Sequence, residues 1–307
     1  MSKTAELEQE IRHIFNISRR HKKSRESHEL FLQACSSLDV IGDTEHAFSA
    51  YQEDTTEYPD GMLYILAYGF LQSIFLQQDA ILNLAESVGL DLSLSPELRA
   101  VRELRNDAVG HPTKRNVKKG VRSFHHISRP TLSKTGFQLI STVSNSDEYC
   151  FRDILISDLL KEQSQFTENL LTTILNHMKT DENSHREKYM NDKLLTVFPP
   201  ALGYLFEKVR EGISKESHRK FGIENLKTIV GYLDHFVGKL KERGEEECIE
   251  HIKADLDYPI EKVMSYLNDP KTVDQHAAEI FIKRIQDQYD NFKTIAKEID
   301  EEYEKRV

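Results

Sequence analysis

Ser95-Pro96-Glu97-Leu98-Arg99-Ala100-Val101-Arg102-Glu103-Leu104-Arg105 runs straight into Asn106-Asp107-Ala108-Val109-Gly110-His111, and this stretch decides how the chain is read. Its first part carries a complete helix start. Ser95 is a side-chain N-cap, Pro96 takes the first helical position, where no hydrogen bond is lost, and Glu97 faces the positive end of the helix dipole. Leu98, Val101, Arg102 and Arg105 follow at spacings of three and four, and Gly110-His111-Pro112 predicts the end of the helix. His111 then lies just past the terminus, free to fold back towards Arg105. A straight helix would not allow this, because six residues advance about 600° and leave the two side chains about 120° apart.

The residue types suit a phosphodiester. Arginine is permanently charged and offers a rigid fork of donors to phosphate oxygens. Histidine, with an ordinary pKa of about 6.5, takes or gives a proton near neutrality. A basic run follows directly. No Asp or Glu occurs between Ala108 and Ser146, while Lys114, Arg115, Lys118, Lys119, Arg122, Arg129 and Lys134 all fall there. In a chain of net charge −10 that local polarity would steer an anion and raise its local concentration.

Upstream, Met62 to Val88 reads as one long buried helix ended by Gly89. Gln72, Ser73, Gln77, Gln78 and Asp79 interrupt it, so it does not suit a bilayer. On its helical wheel Gln78 falls among Leu71, Ile74, Leu82 and Ala85, away from the other polar residues. That marks it as a core amide or as a residue near the Arg105/His111 cleft or a dimer seam. Before this helix, Leu7, Ile11 and Ile14 predict a short N-terminal helix, and Leu30, Phe31, Ala34 and Leu38 a second. Residues 39–61 carry turn signals at Gly42-Asp43 and Pro59-Asp60-Gly61. The expectation is an N-terminal helical segment over residues 1–60.

Downstream the period changes to two. Phe124, His126 and Ser128, then Phe137, Leu139 and Ser141, then Tyr149 and Phe151 predict a small antiparallel sheet at about residues 123–152. A helix resumes near Asp153. Lys179 to His185 is the best linker, and a C-terminal helical domain follows over residues 181–307. There the helices run from about Arg186 to Ser214, broken at Pro199-Pro200, and over about 223–243, 245–267 and 273–306. Glu245-Glu246-Glu247 and Glu298 to Glu304 suit solvated faces or a basic partner.

At 307 residues the length suits about two domains. With 38% hydrophobic and 30% charged residues and a mean hydropathy of −0.55, the chain is a folded, polar one. Cys35, Cys150 and Cys248 are far apart and odd in number, so no disulfide framework is arguable and a reducing cytoplasm is the simplest compartment. Met1 to Glu10 is polar and acidic, unlike a signal peptide. No His-Glu-x-x-His, cysteine pair, glycine-rich phosphate loop or Gly-x-Ser-x-Gly elbow occurs, so no metal and no cofactor is expected.

Arg105-Asn106 through His111, following an apolar helix, resembles the Arg-x(4–6)-His motif of HEPN domains. Asn106, the polar residue after the arginine, fits the pattern, as does the preceding helix with Gly69-Phe70-Leu71-Gln72 and Gln77-Gln78-Asp79-Ala80-Ile81. The resemblance covers about Gly61 to Lys179, giving a HEPN-like domain over residues 61–180 to which the β segment is an addition. It implies a helical bundle centred on two long helices and a homodimer with two motifs facing across the seam; the interrupted apolar helix separately predicts no membrane. Many such proteins are metal-independent endoribonucleases of toxin, phage-defence or RNA-processing systems; others are non-catalytic binding modules. The resemblance gives catalytic roles to Arg105, Asn106 and His111; the basic window then offers Lys114, Arg115, Lys118, Lys119 and Arg122 to hold the flanking RNA. The alternative is a non-catalytic dimeric scaffold for RNA or a protein, with the C-terminal helices gripping a protein partner.

Overall fold

The computed structural model describes residues 2–17, 25–118, 120–245 and 249–304. The fold is mainly α with a small antiparallel sheet. It divides into two compact units, Met1–Lys179 and Thr180–Val307. No helix of the described residues is long and apolar enough to cross a membrane.

The first unit contains α1 (Lys3–Ile17), α2 (Arg25–Glu53), α3 (Asp60–Ser87), α4 (Pro96–Arg105), a wide five-residue turn (Asn106–Gly110), β1 (Arg115–Lys118), β2 (Val121–Ile127), β3 (Gly136–Val143), β4 (Tyr149–Leu155) and the start of α5 (Ile156–Tyr189). Residues 1–60 are not set apart. Leu7, Ile11 and Phe15 of α1 and Leu38 and Ile41 of α2 share one core with Ile81 and Leu84 of α3 and Leu171 and Ile174 of α5. A second core joins Phe70, Leu71 and Ile74 of α3 and Val101 and Leu104 of α4 to Ile127, Phe137, Leu139 and Ile154 of the sheet. The site is built over this second core.

Three elements differ from the sequence expectation. The Gly42-Asp43 turn is absent, and α2 runs through it. Ile41 and Phe48 extend the buried stripe of Ala34 and Leu38, and that burial outweighs a glycine penalty of about 1 kcal/mol. The Lys179–His185 linker is helical, because α5 continues to Tyr189. Its polar run holds no glycine or proline, and Glu182 and Arg186 pair one turn apart at 3.6 Å. The sheet has four strands in the order β1-β2-β3-β4, beginning at Arg115 rather than near Ser123. The edge strand Arg115-Asn116-Val117-Lys118 has no apolar alternation to reveal it. Its backbone ladder to β2 places it, Arg115 opposite Ser123.

Sheet register sorts the side chains. Ser123, His125 and Ile127 share the inner face with Leu139, Ser141 and Ile154, while Arg122, Phe124, His126, Tyr149 and Phe151 lie on the outer face. Strand β3 begins against β4 so closely that a Cβ on Gly136 would collide with the Ile154 carbonyl oxygen.

The second unit is helical, with α6 (Leu202–Ser214), α7 (Arg219–Arg243), α8 (Glu250–Asn268) and α9 (Gln275–Glu304). Phe206, Phe236, Tyr289 and Phe292 form its aromatic core. α5 ends at Tyr189, a short turn covers Leu194–Val197, and Pro199-Pro200 stand just ahead of α6. Glu245, expected on a solvated face, is instead buried and accepts the Tyr303 hydroxyl at 2.8 Å. Glu246 and Glu247 lie outside the described residues.

Gly136→Ala should destabilise the first unit by about 1–3 kcal/mol, the usual cost of overpacking. Urea titration of the full chain should show an earlier first transition, whereas an unchanged midpoint would mean that the β3–β4 approach is loose.

Candidate functional site

Helices α3 and α4 position Arg105. Ser95 Oγ accepts the Leu98 N–H at 3.4 Å to start α4, a cap worth about 1 kcal/mol. Leu98, Val101 and Leu104 bury one face of the helix. This turns Arg102 and Arg105 onto the polar arc of α3, where Gln72, Phe75 and Asp79 stand at helical spacing. Arg102 pairs with Asp79. Arg105 donates Nε–H and Nη2–H to Gln72 Oε1 at 3.0 and 2.6 Å, and Nη1–H to Asn106 Oδ1 at 3.1 Å. Both guanidinium groups lie close to the Phe75 ring, at 4.2 Å for Arg102 and 4.4 Å for Arg105, well inside cation–π range.

The partners of Arg105 are therefore neutral. Among the described residues no carboxylate pairs with it. A guanidinium has five N–H donors; these three bonds leave one N–H on Nη1 and one on Nη2 unused. Glu103 and Asp107, the nearest carboxylates in sequence, are both engaged by Arg115, the Asp107 contact at 2.6 Å.

After Arg105 the helix widens. The His111 N–H bonds to the Asn106 carbonyl at 2.7 Å, an i→i+5 bond that makes Asn106–Gly110 one turn of π-helix. The helix ends at Gly110-His111, as the sequence predicts; what the sequence did not show is that its last turn is wide. The extra residue brings Gly110 back against the guanidinium. A Cβ there would lie 3.0 Å from Arg105 Nη1 and 3.5 Å from Asn106 Oδ1. His111 comes next, with its side chain exposed and its backbone out of the helix at φ −138°. The imidazole shares no hydrogen bond with Arg105 or with any other described residue.

The sheet clamps this turn from one side. The His125 N–H bonds to the Pro112 carbonyl at 2.7 Å. The His125 ring is 6% exposed, with Nε2 at 3.3 Å from Asp107 Oδ1 and 2.8 Å from Ser123 Oγ, and Nδ1 at 2.8 Å from Ser141 Oγ. Arg115 closes the same clamp through Asp107 and Glu103. Burial pushes the His125 pKa down, Asp107 opposes that shift, and the Arg115 charge adds to it.

The basic window is less free in space than in sequence. Arg115, assigned to RNA, is committed to two carboxylates and braces the turn. Lys134 pairs with Asp54 at 2.9 Å. Lys119 and the side chain of Lys118 lie outside the described residues. Lys114, Arg122 and Arg129 remain exposed, with no ion pair among the described residues. Gln78 is not at the site. It is 1% exposed and donates to Gln163 Oε1 at 2.9 Å, inside a network with Gln77 and Thr167. Gln72 holds Arg105 instead. Its signal was present as spacing, since Gln72, Phe75 and Asp79 recur on one arc of α3 as Arg102 and Arg105 do on α4.

No family model, curated protein or solved structure matches this chain.

A histidine whose pKa is lowered by folding binds fewer protons in the native state than in the unfolded one. The clamp should therefore contribute its full stability above pH ~6.5 and lose it as pH falls towards the lowered native value. His125→Gln should flatten that part of the stability–pH curve. Parallel curves for the two proteins between pH 7.5 and 5 would remove His125 from the account.

Proposed function

We propose that this chain is a metal-independent endoribonuclease of HEPN type that cleaves single-stranded RNA, acts as a homodimer and serves a toxin or phage-defence system. One observation carries the reading. Arg105 is oriented by two amides and an aromatic ring, keeps its charge uncompensated, and is followed through a wide turn by an exposed histidine. Neighbouring Arg102 and Arg115, by contrast, are neutralised by carboxylates. A structural arginine at this depth would be expected to take the same solution, because a charge removed from water is stabilised by an opposite one. A charge held ready for an anion has to do without.

RNA brings its own nucleophile, the 2′-hydroxyl. His111 takes the proton from that hydroxyl, or gives one to the departing 5′-oxygen. The hydroxyl oxygen attacks phosphorus, the bond to the 5′-oxygen breaks, and the products are a 2′,3′-cyclic phosphate and a 5′-hydroxyl. The two unused N–H groups of Arg105 meet the charge that builds on the non-bridging oxygens. Asn106, whose side-chain Oδ1 accepts from Arg105, orients the guanidinium and keeps its own NH2 to offer to phosphate. Proton transfer contributes about 10²–10⁴-fold and one aimed charge-stabilising donor about 10²–10³-fold. Lys114 and Arg122 hold the flanking strand.

The test is incubation of the purified chain with single-stranded RNA in EDTA. Cleavage that survives chelation, yields cyclic-phosphate ends and falls at least 100-fold (on the order of a lost acid–base catalyst) in His111→Ala and in Arg105→Ala is expected. Equal cleavage in either variant would overturn the assignment.

A further inference from the structure

The sheet is too large to serve only as a clamp for the turn, because its outer face carries a second feature that the fold leaves unused. Phe124 and His126 on β2, and Tyr149 and Phe151 on β4, point away from the core. The register places Phe124, Thr142 and Tyr149 in one cross-strand row and His126, Ile140 and Phe151 in the next. Phe124 is 37% exposed, and Tyr149 and Phe151 are each 60% exposed. Among the described residues none of these three rings has an aromatic or cationic partner. Large rings at such exposure lose hydrophobic stabilisation unless something covers them.

The composition of the face indicates what covers it. Rings dominate its two outer strands, β3 contributes Gln138, Ile140 and Thr142 between them, and Leu155 is the exposed aliphatic side chain at the far end. Rows two residues apart on a strand are about 6.7 Å apart, and β2 and β4, with β3 between them, are about 9.6 Å apart. The four rings thus mark a flat field sized for a few unstacked bases. Arg122 stands beside Phe124 on the same face, exposed and without an ion pair among the described residues. Among the described residues of the field the one acid is Asp153, which accepts the Gln138 amide at 2.8 Å at the far end. Aromatic rings on an open sheet with a cation at one edge suit single-stranded nucleic acid, whose bases stack on π faces and whose phosphates meet the arginine.

We infer that the outer face of the sheet, opposite the face that clamps the Arg105 turn, is a stacking platform for single-stranded RNA. This rests on the RNA reading of that turn, but the two are tested apart. The probe is a fluorescent oligouridine bearing 2′-O-methyl groups, which cannot be cleaved because its nucleophile is blocked. Fluorescence anisotropy with the full chain should show binding that weakens roughly five- to a hundred-fold for each ring removed in Tyr149→Ala and Phe151→Ala. Tyr204→Ala, which removes an exposed ring elsewhere in the chain, should bind as the parent does. Phe151→Leu, which keeps apolar area and loses the ring, should behave like Phe151→Ala. Affinity unchanged in the ring variants, or no binding by the parent chain, would overturn the platform while leaving the chelator assay to judge the Arg105 site. Binding retained in Phe151→Leu, or sedimentation showing that the ring variants turn a dimer into monomers, would also overturn it and mark the face as a protein contact.

Discussion

The amide oxygen of Gln72 accepts two N–H groups from Arg105, and the geometry of the site follows from that contact. An amide fixes the direction of a guanidinium without cancelling its charge. A carboxylate in the same place would fix it equally well and neutralise it. The chain uses carboxylates freely nearby, on Arg102 and on Arg115, so the amide at Gln72 is a local departure. The Phe75 ring lets the two arginines approach one another, since its π face is attractive to both.

The second constraint is the wide turn. An α-helical continuation would carry residues 110 and 111 away from Arg105. The i→i+5 bond instead returns Gly110 to the guanidinium, where a side chain would crowd Nη1. Such a turn is less favourable than plain helix and needs support from outside. The sheet supplies it. Arg115 and His125 both grip Asp107 inside the turn, and the β2 backbone bonds to Pro112 just beyond it. The β insertion is thus part of the apparatus that shapes the helix end, and its stability is linked to pH through a buried histidine.

Much of this was legible in sequence, and the misses have physical causes. The cap at Ser95, the long α3, the alternating strands β2 to β4 and the break near Pro199-Pro200 are local signals, and local physics decides them. The continuity of α2 through Gly42 and of α5 through residues 179–189 was not legible, because packing in the first case and the absence of breakers in the second outweighed turn-like composition. The acid-free window from Ala108 to Ser146 misled in a different way. Distance along a chain is not distance in space, and Asp54, Glu103 and Asp107 reach Lys134 and Arg115 from outside the window. Gln78 stood out because it was the odd amide on an apolar arc, and it proved to bond to another core amide. Gln72 went unnoticed because it sat where polar residues belong.

The most direct measurement exchanges that amide for its isosteric acid. Gln72→Glu keeps shape and acceptor geometry but sets a negative charge against Arg105. Chelator-resistant RNA cleavage and thermal unfolding would be followed together in the parent and the variant. The account predicts a midpoint equal to or above that of the parent, with cleavage reduced by about 10²-fold, the loss expected when one charge-stabilising donor is silenced. Cleavage at the parent rate in a correctly folded Gln72→Glu protein would contradict it.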